Sequence, residues 1–154
     1  MKIVYSIILS TILIAVLNSA VTTAFAQNEF MYSIKFVCIP TVGPDKEVVF
    51  VPQNYSTIIN VHNPYPEDVY FLKKAVIAQS EDEEKGQISD FVRDYLRPDQ
   101  ALSINCNDIN RLFNNSLSPI GDGFVVLTSN IKLDVSVVYT THNSIDVEYI
   151  HPSR

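Results

Sequence analysis

The sequence lacks Trp altogether and holds two Cys and four Gly in 154 residues, with 11 Lys and Arg against 17 Asp and Glu. Two cysteines are too few for a disulfide-dense miniprotein or a four-cysteine zinc site. The glycines (Gly43, Gly86, Gly121 and Gly123) each fall at an apparent turn. No glycine-rich loop is therefore available to cradle phosphate, and neither a dinucleotide fingerprint nor a nucleophile elbow is present. With a net charge of −6, the chain has no clustered basic face of the kind that phosphate contacts need. Nucleic acid is not an expected partner. What the chain has in quantity is apolar: 47% of its residues are hydrophobic, too many for a disordered chain, and the length suits one domain.

The first residues speak to compartment. Lys2 is the only charged residue before Glu29, an apolar run extends over residues 3–17, and Ala24-Phe25-Ala26 places small residues at −3 and −1. A positive start, an apolar stretch and small residues before the cut are the features of a secretory signal peptide over residues 1–26. An uncleaved N-terminal anchor helix over residues 3–26 is the alternative, because about 20 apolar residues can span a bilayer. Asn18, Ser19, Thr22 and Thr23 dilute its second half. Both readings export a domain of residues 27–154, secreted or held in the cell envelope. In an oxidising compartment Cys38 and Cys106 are expected to form one bridge, which closes a long loop and stabilises the fold by about 4 kcal/mol. Two buried free thiols are the alternative. A catalytic thiol is not expected, since neither Cys has a neighbouring His or Cys to lower its pKa.

Period-2 alternation dominates the rest. Tyr32, Ile34, Phe36 and Cys38 share one face of a first strand, and Thr57, Ile59 and Val61 alternate against Ile58, Asn60 and His62. Residues 47–51, 69–78, 101–105, 123–129, 133–140 and 144–150 complete about eight strand candidates rich in Val, Ile, Tyr, Phe and Thr. Pro40, Gly43 and Pro44, then Asn63-Pro64-Tyr65-Pro66, Gly121-Asp122-Gly123 and Ser129-Asn130 supply turn chemistry. Only residues 89–96 and 107–113 are read as a helical turn or two, the second capped by Asn107 or Asp108. Strands in succession without intervening helices predict an all-β fold, an antiparallel two-layer β-sandwich of immunoglobulin-like or jelly-roll-like type. The missing Trp and the position of Cys38 in the first strand count against an antibody-type domain.

Few residues carry chemistry. The three histidines, His62, His142 and His151, show no paired-ligand spacing, so His62 and His142 are only weak metal candidates at strand ends. No Cys, His and Met cluster in one loop, which excludes a blue-copper centre. The acidic run Glu81–Glu84 lacks the alternate spacing of a calcium loop and reads as a solvated turn. Ser56, His62 and Asp68 have no spacing that marks a triad, while Asp134, Asp146 and Glu148 alternate with apolar residues as on solvent faces of strands. No enzyme and no cofactor are expected. Tyr55, Tyr65, Tyr70 and Tyr95 near loops provide amphipathic contact area. Asn54 and Asn114 head formal glycosylation sequons.

The segments 32–38 (YSIKFVC), 57–64 (TIINVHNP), 123–129 (GFVVLTS), 133–140 (LDVSVVYT) and 144–149 (SIDVEY) resemble those of a group of small secreted prokaryotic proteins with an immunoglobulin-like β-sandwich domain. The resemblance implies one compact exported domain and carries over no catalytic residue. The expectation is an exported sandwich without enzymatic activity that binds an unknown protein or envelope component through its surface. The alternatives are a small metal- or ligand-binding module around His62 and His142, and a secreted hydrolase.

Overall fold

A computed structural model describes residues 29–39 and 54–153. The expected signal or anchor segment, the strand over residues 47–51 and the Pro40–Pro44 link lie outside the described residues. Eight strands are described: β1 (Phe30–Cys38), β2 (Ser56–His62), β3 (Val69–Ile77), β4 (Val92–Leu96), β5 (Ala101–Asn105), β6 (Gly121–Ser129), β7 (Asp134–Thr140) and β8 (Ile145–Ile150). One short helix, α1 (Cys106–Leu112), follows β5. The first sheet has the order β1-β6-β3-β4 and the second β5-β2-β7-β8, with every pairing antiparallel. This is the two-layer sandwich that the alternation predicted. The orders β1-β6-β3 and β2-β7-β8 are those of strands B-E-D and C-F-G in an immunoglobulin fold, with β4, β5 and α1 inserted between D and E.

Alternation decides which side chains meet. Tyr32, Ile34 and Phe36 of β1, Val125 and Leu127 of β6, and Phe71 and Ala75 of β3 face Ile59, Val61, Val135 and Val137 of the second sheet, all buried. Ile109 of α1, Phe113 and Leu133 close the core. Side chains also tie the layers together. The Tyr32 hydroxyl donates to the Leu133 carbonyl (2.8 Å) and accepts from the Leu133 N–H (2.7 Å). Thr57 Oγ1 accepts from Val37 N–H and donates to Val37 O, and the Tyr139 hydroxyl donates to Lys35 O. The Cys38–Cys106 disulfide adds a covalent tie from β1 to the first turn of α1. All of these ties end on β1, an edge strand among the described residues, whose other end pairs Met31 with Ser153 of the C-terminal segment. No helix among the described residues is long and apolar enough to cross a membrane.

Three local expectations are corrected. Residues 89–96 are not helical: β4 runs beside β3, and Ser89 donates from its N–H to Ala75 O while its hydroxyl accepts from Ala75 N–H. The open edge of β3 offers those backbone groups, and pairing with them outweighs the weak local helical pattern. The helix is capped by Asn105, two to three residues earlier than expected. The Asn105 side chain accepts from the N–H groups of Asn107 and Asp108, while Asp108 accepts from Asn105 N–H, a reciprocal capping box. Gly123 is not a turn residue but sits inside β6, where a Cβ would lie 2.0 Å from Val76 O and 3.0 Å from the Phe36 ring.

Burial pushes the Tyr32 hydroxyl above the ordinary tyrosine range. Burial does the same to Tyr139, helped by the carboxylates of Glu148 and Asp146. Both raised values favour the neutral, folded form. Their contribution to stability is full below the unfolded value of about 10 and is lost as pH rises beyond it through the folded values. Absorbance titration near 295 nm is expected to show these two tyrosines ionising after the exposed ones, together with loss of the fold. Ionisation of all tyrosines in one step, before unfolding, would contradict this.

Candidate functional site

The structure separates the residues that the sequence offered for chemistry. His62 ends β2 opposite Asp134, whereas His142 lies in the turn beyond Thr140, at the other end of β7. At about 3.3 Å per residue, seven residues of strand hold them roughly 20 Å apart. His62 instead shares a shallow cleft of about 400 Å³ with His151, Lys132, Asp134, Ser136 and Tyr149. Its Nδ1 is 3.4 Å from an Asp134 oxygen and its Nε2 3.9 Å from Asp99. Ser56 and His62 stand at opposite ends of β2, so the Ser56-His62-Asp68 combination does not assemble. Among the described residues, no three His, Cys, Asp or Glu side chains converge in a way that could hold a metal. Glu81–Glu84 are all exposed in the β3–β4 connection. Asn54 and Asn114 are exposed, and Asn114 leaves α1 with a φ of 56°.

The outer face of the first sheet has a different character. Register places Tyr70 beside Tyr95, Leu72 beside Arg93, Lys74 beside Val126, and Phe124 between Val76 and Lys35. Each cation lies over a ring: Arg93 4.7 Å from the centre of Tyr70, Lys74 4.6 Å from Phe91 and Lys35 5.2 Å from Phe124. Tyr70 and Tyr95 contact each other with ring centres 5.8 Å apart and are each about half exposed. Asp122 forms an ion pair with Lys35 on the same face. An acidic chain thus presents one aromatic face studded with cations. A depression of about 300 Å³ at its end is lined by Glu29, Tyr70, Leu72, Arg93, Thr128 and Asn130. Cation–π pairs at exposed sites contribute about 0.5–1 kcal/mol each, which orders these long side chains on the sheet.

Of the four tyrosines expected at a contact surface, Tyr70 and Tyr95 lie on this face, while Tyr65 packs against the core and Tyr55 is half-buried. Sequence reasoning passed over Phe91, Phe124 and Tyr149, all exposed. The signal for Phe124 was its place opposite Val125 in an alternating strand, which puts it on the solvent face. The pocket between β4, β5 and α1, about 340 Å³, holds an ion pair between Lys73 and Asp94 at 2.6 Å.

No protein-family model matches the sequence, and no curated protein matches it. A crystal structure of Thermotoga maritima 1070 aligns with a TM-score of 0.44 and 8% sequence identity, covering 81% of this chain and 91% of that one.

Proposed function

We propose that this chain is an exported, non-enzymatic β-sandwich that acts by surface contact with a protein or other component of the cell envelope or its surroundings. The observation that carries the reading is the outer face of the first sheet, where Tyr70, Tyr95, Phe91 and Phe124 stand exposed and interleaved with Arg93, Lys74 and Lys35. Aromatic residues and Arg are enriched at interfaces because they offer large area with a polar handle. Export is supported by the residue pattern over 1–26, by the resemblance to small secreted prokaryotic proteins, and by the Cys38–Cys106 bridge, which oxidising compartments favour.

Two measurements test the reading. Cell fractionation with N-terminal sequencing is expected to find the protein outside the cytoplasm, starting at Gln27 or retaining its anchor. Intact product in the cytosol overturns export. A photo-crosslinking residue at position 95 is expected to give a defined adduct in the native envelope that a residue at position 83 does not. Tyr70→Ala with Arg93→Ala should reduce that adduct roughly tenfold or more, as loss of central anchors does, while the protein stays folded with only the small loss of stability that the Arg93–Tyr70 contact contributes. An adduct equally strong from position 83, or none from position 95, overturns the contact face.

A further inference from the structure

The edge strand β8 carries an inference that does not rest on the aromatic face, which lies on the other layer. β8 pairs with β7 along one side, and among the described residues no strand pairs with its other side. Its outward side chains are Ile145, Val147 and Tyr149, at 74%, 54% and 79% exposure. Register extends this stripe inward, since Val147 lies opposite Val138, and Val138 opposite Ile58. Asp146 and Glu148 occupy the opposite side of β8, beside Tyr139 and Val137, and among the described residues neither has an ion-pair partner. An edge strand with open backbone groups and large exposed apolar side chains is a template for strand addition.

The charges select the occupant. In an antiparallel pairing of two copies of β8, keeping the apolar side chains together allows two registers that pair most of the strand. One sets Asp146 against Glu148, and the other sets Glu148 against itself. Like charges directly opposite destabilise a strand pair. A segment with Lys or Arg at every second position meets both carboxylates and lays its apolar residues along Ile145, Val147 and Tyr149. We propose that the free edge of β8 takes up an extended partner segment that alternates apolar residues with Lys or Arg, adding a fifth strand to the second sheet. The net charge of −6 would steer such a segment toward the protein.

The probe is a synthetic peptide of about eight residues, a common strand length, alternating Val and Lys. It is expected to bind with an affinity that falls as salt rises, and to protect the amides of residues 145–150 from hydrogen exchange. Asp146→Asn with Glu148→Gln should weaken binding about tenfold and flatten the salt dependence, because two cross-strand ion pairs are lost. Glu81→Gln with Glu83→Gln removes the same charge from the β3–β4 connection and should leave binding unchanged. Asp146→Lys with Glu148→Lys should transfer the preference to a peptide alternating Val and Glu. The proposal fails if the wild-type protein does not bind the Val–Lys peptide, if it binds the Val–Glu peptide as well, or if the Glu81/Glu83 variant weakens binding as much. Concentration-dependent protection of residues 145–150 without peptide would identify a second copy as the occupant and also overturn it.

Discussion

Replacing Cys38 and Cys106 together by Ala is expected to lower the free energy of unfolding by about 4 kcal/mol. The two residues are 68 apart in sequence, so the reduced, unfolded chain regains the entropy of a long open loop. Domains of this kind have about 5–15 kcal/mol in total, which makes the bridge a large share of the stability. The structure adds a reason for the effect to be concentrated. Cys38 ends β1, and Cys106 begins α1, whose seven residues are too few to hold a helix without tertiary support. The urea midpoint is expected to fall by roughly 2 M, and reductant should produce the same fall in the wild-type protein. Equal midpoints with and without reductant would show that the bridge adds nothing to stability.

Asn63→Ala is expected to cost about 3 kcal/mol, the second largest effect of a side-chain change. Asn63 is fully buried at the end of β2. Its Nδ2 donates to the carbonyls of Glu67, Leu96 and Arg97 at 2.7, 3.1 and 3.0 Å, and its Oδ1 accepts from Tyr65 N–H at 3.0 Å. One side chain thus satisfies backbone groups from the β2–β3 turn and from the end of β4, joining the two layers. Alanine would leave those groups without partners, and a buried polar group without a partner costs about 1–3 kcal/mol. Asn63→Asp keeps the shape but replaces the donor with an acceptor facing three carbonyls, so it should not rescue. A fall in the thermal midpoint on the order of 10 °C is expected for both variants. A change under about 1 kcal/mol in either would mean that water replaces the side chain.

Much of the fold was legible in the sequence. Seven of the expected strand segments fall within the described residues, and all seven form strands close to their expected bounds, because burial on one side imposes a period of two that chance seldom produces. Tyr32, Ile34, Phe36, Thr57, Ile59 and Val61 are buried as the alternation required. The cysteine pairing was open between a bridge and two thiols, and the structure shows the bridge. Asn63 was legible only as a turn residue, since Asn before Pro marks a reversal whether or not its side chain is buried. β4 was misread because a five-residue edge strand with a single partner has weak local preference, and the neighbour that decides its conformation, β3, is set by tertiary pairing.

The candidate surfaces divide along the same line. Period two alone places Phe124, Lys74 and Tyr149 on solvent faces, because successive side chains of a strand point to opposite sides. Which of them stand together is a matter of strand order, which brings β6 between β1 and β3 and so sets Phe124 beside Lys35 and Val76. The sequence by itself determined that the chain makes a sandwich of alternating strands with a Cys in its first strand. Only the tertiary structure decided that His62 lies apart from His142 and beside His151, that aromatic rings and cations share one face, and that β8 is at an edge among the described strands. Alternation is a local property of a strand, while adjacency across a sheet depends on which distant strands exchange backbone hydrogen bonds.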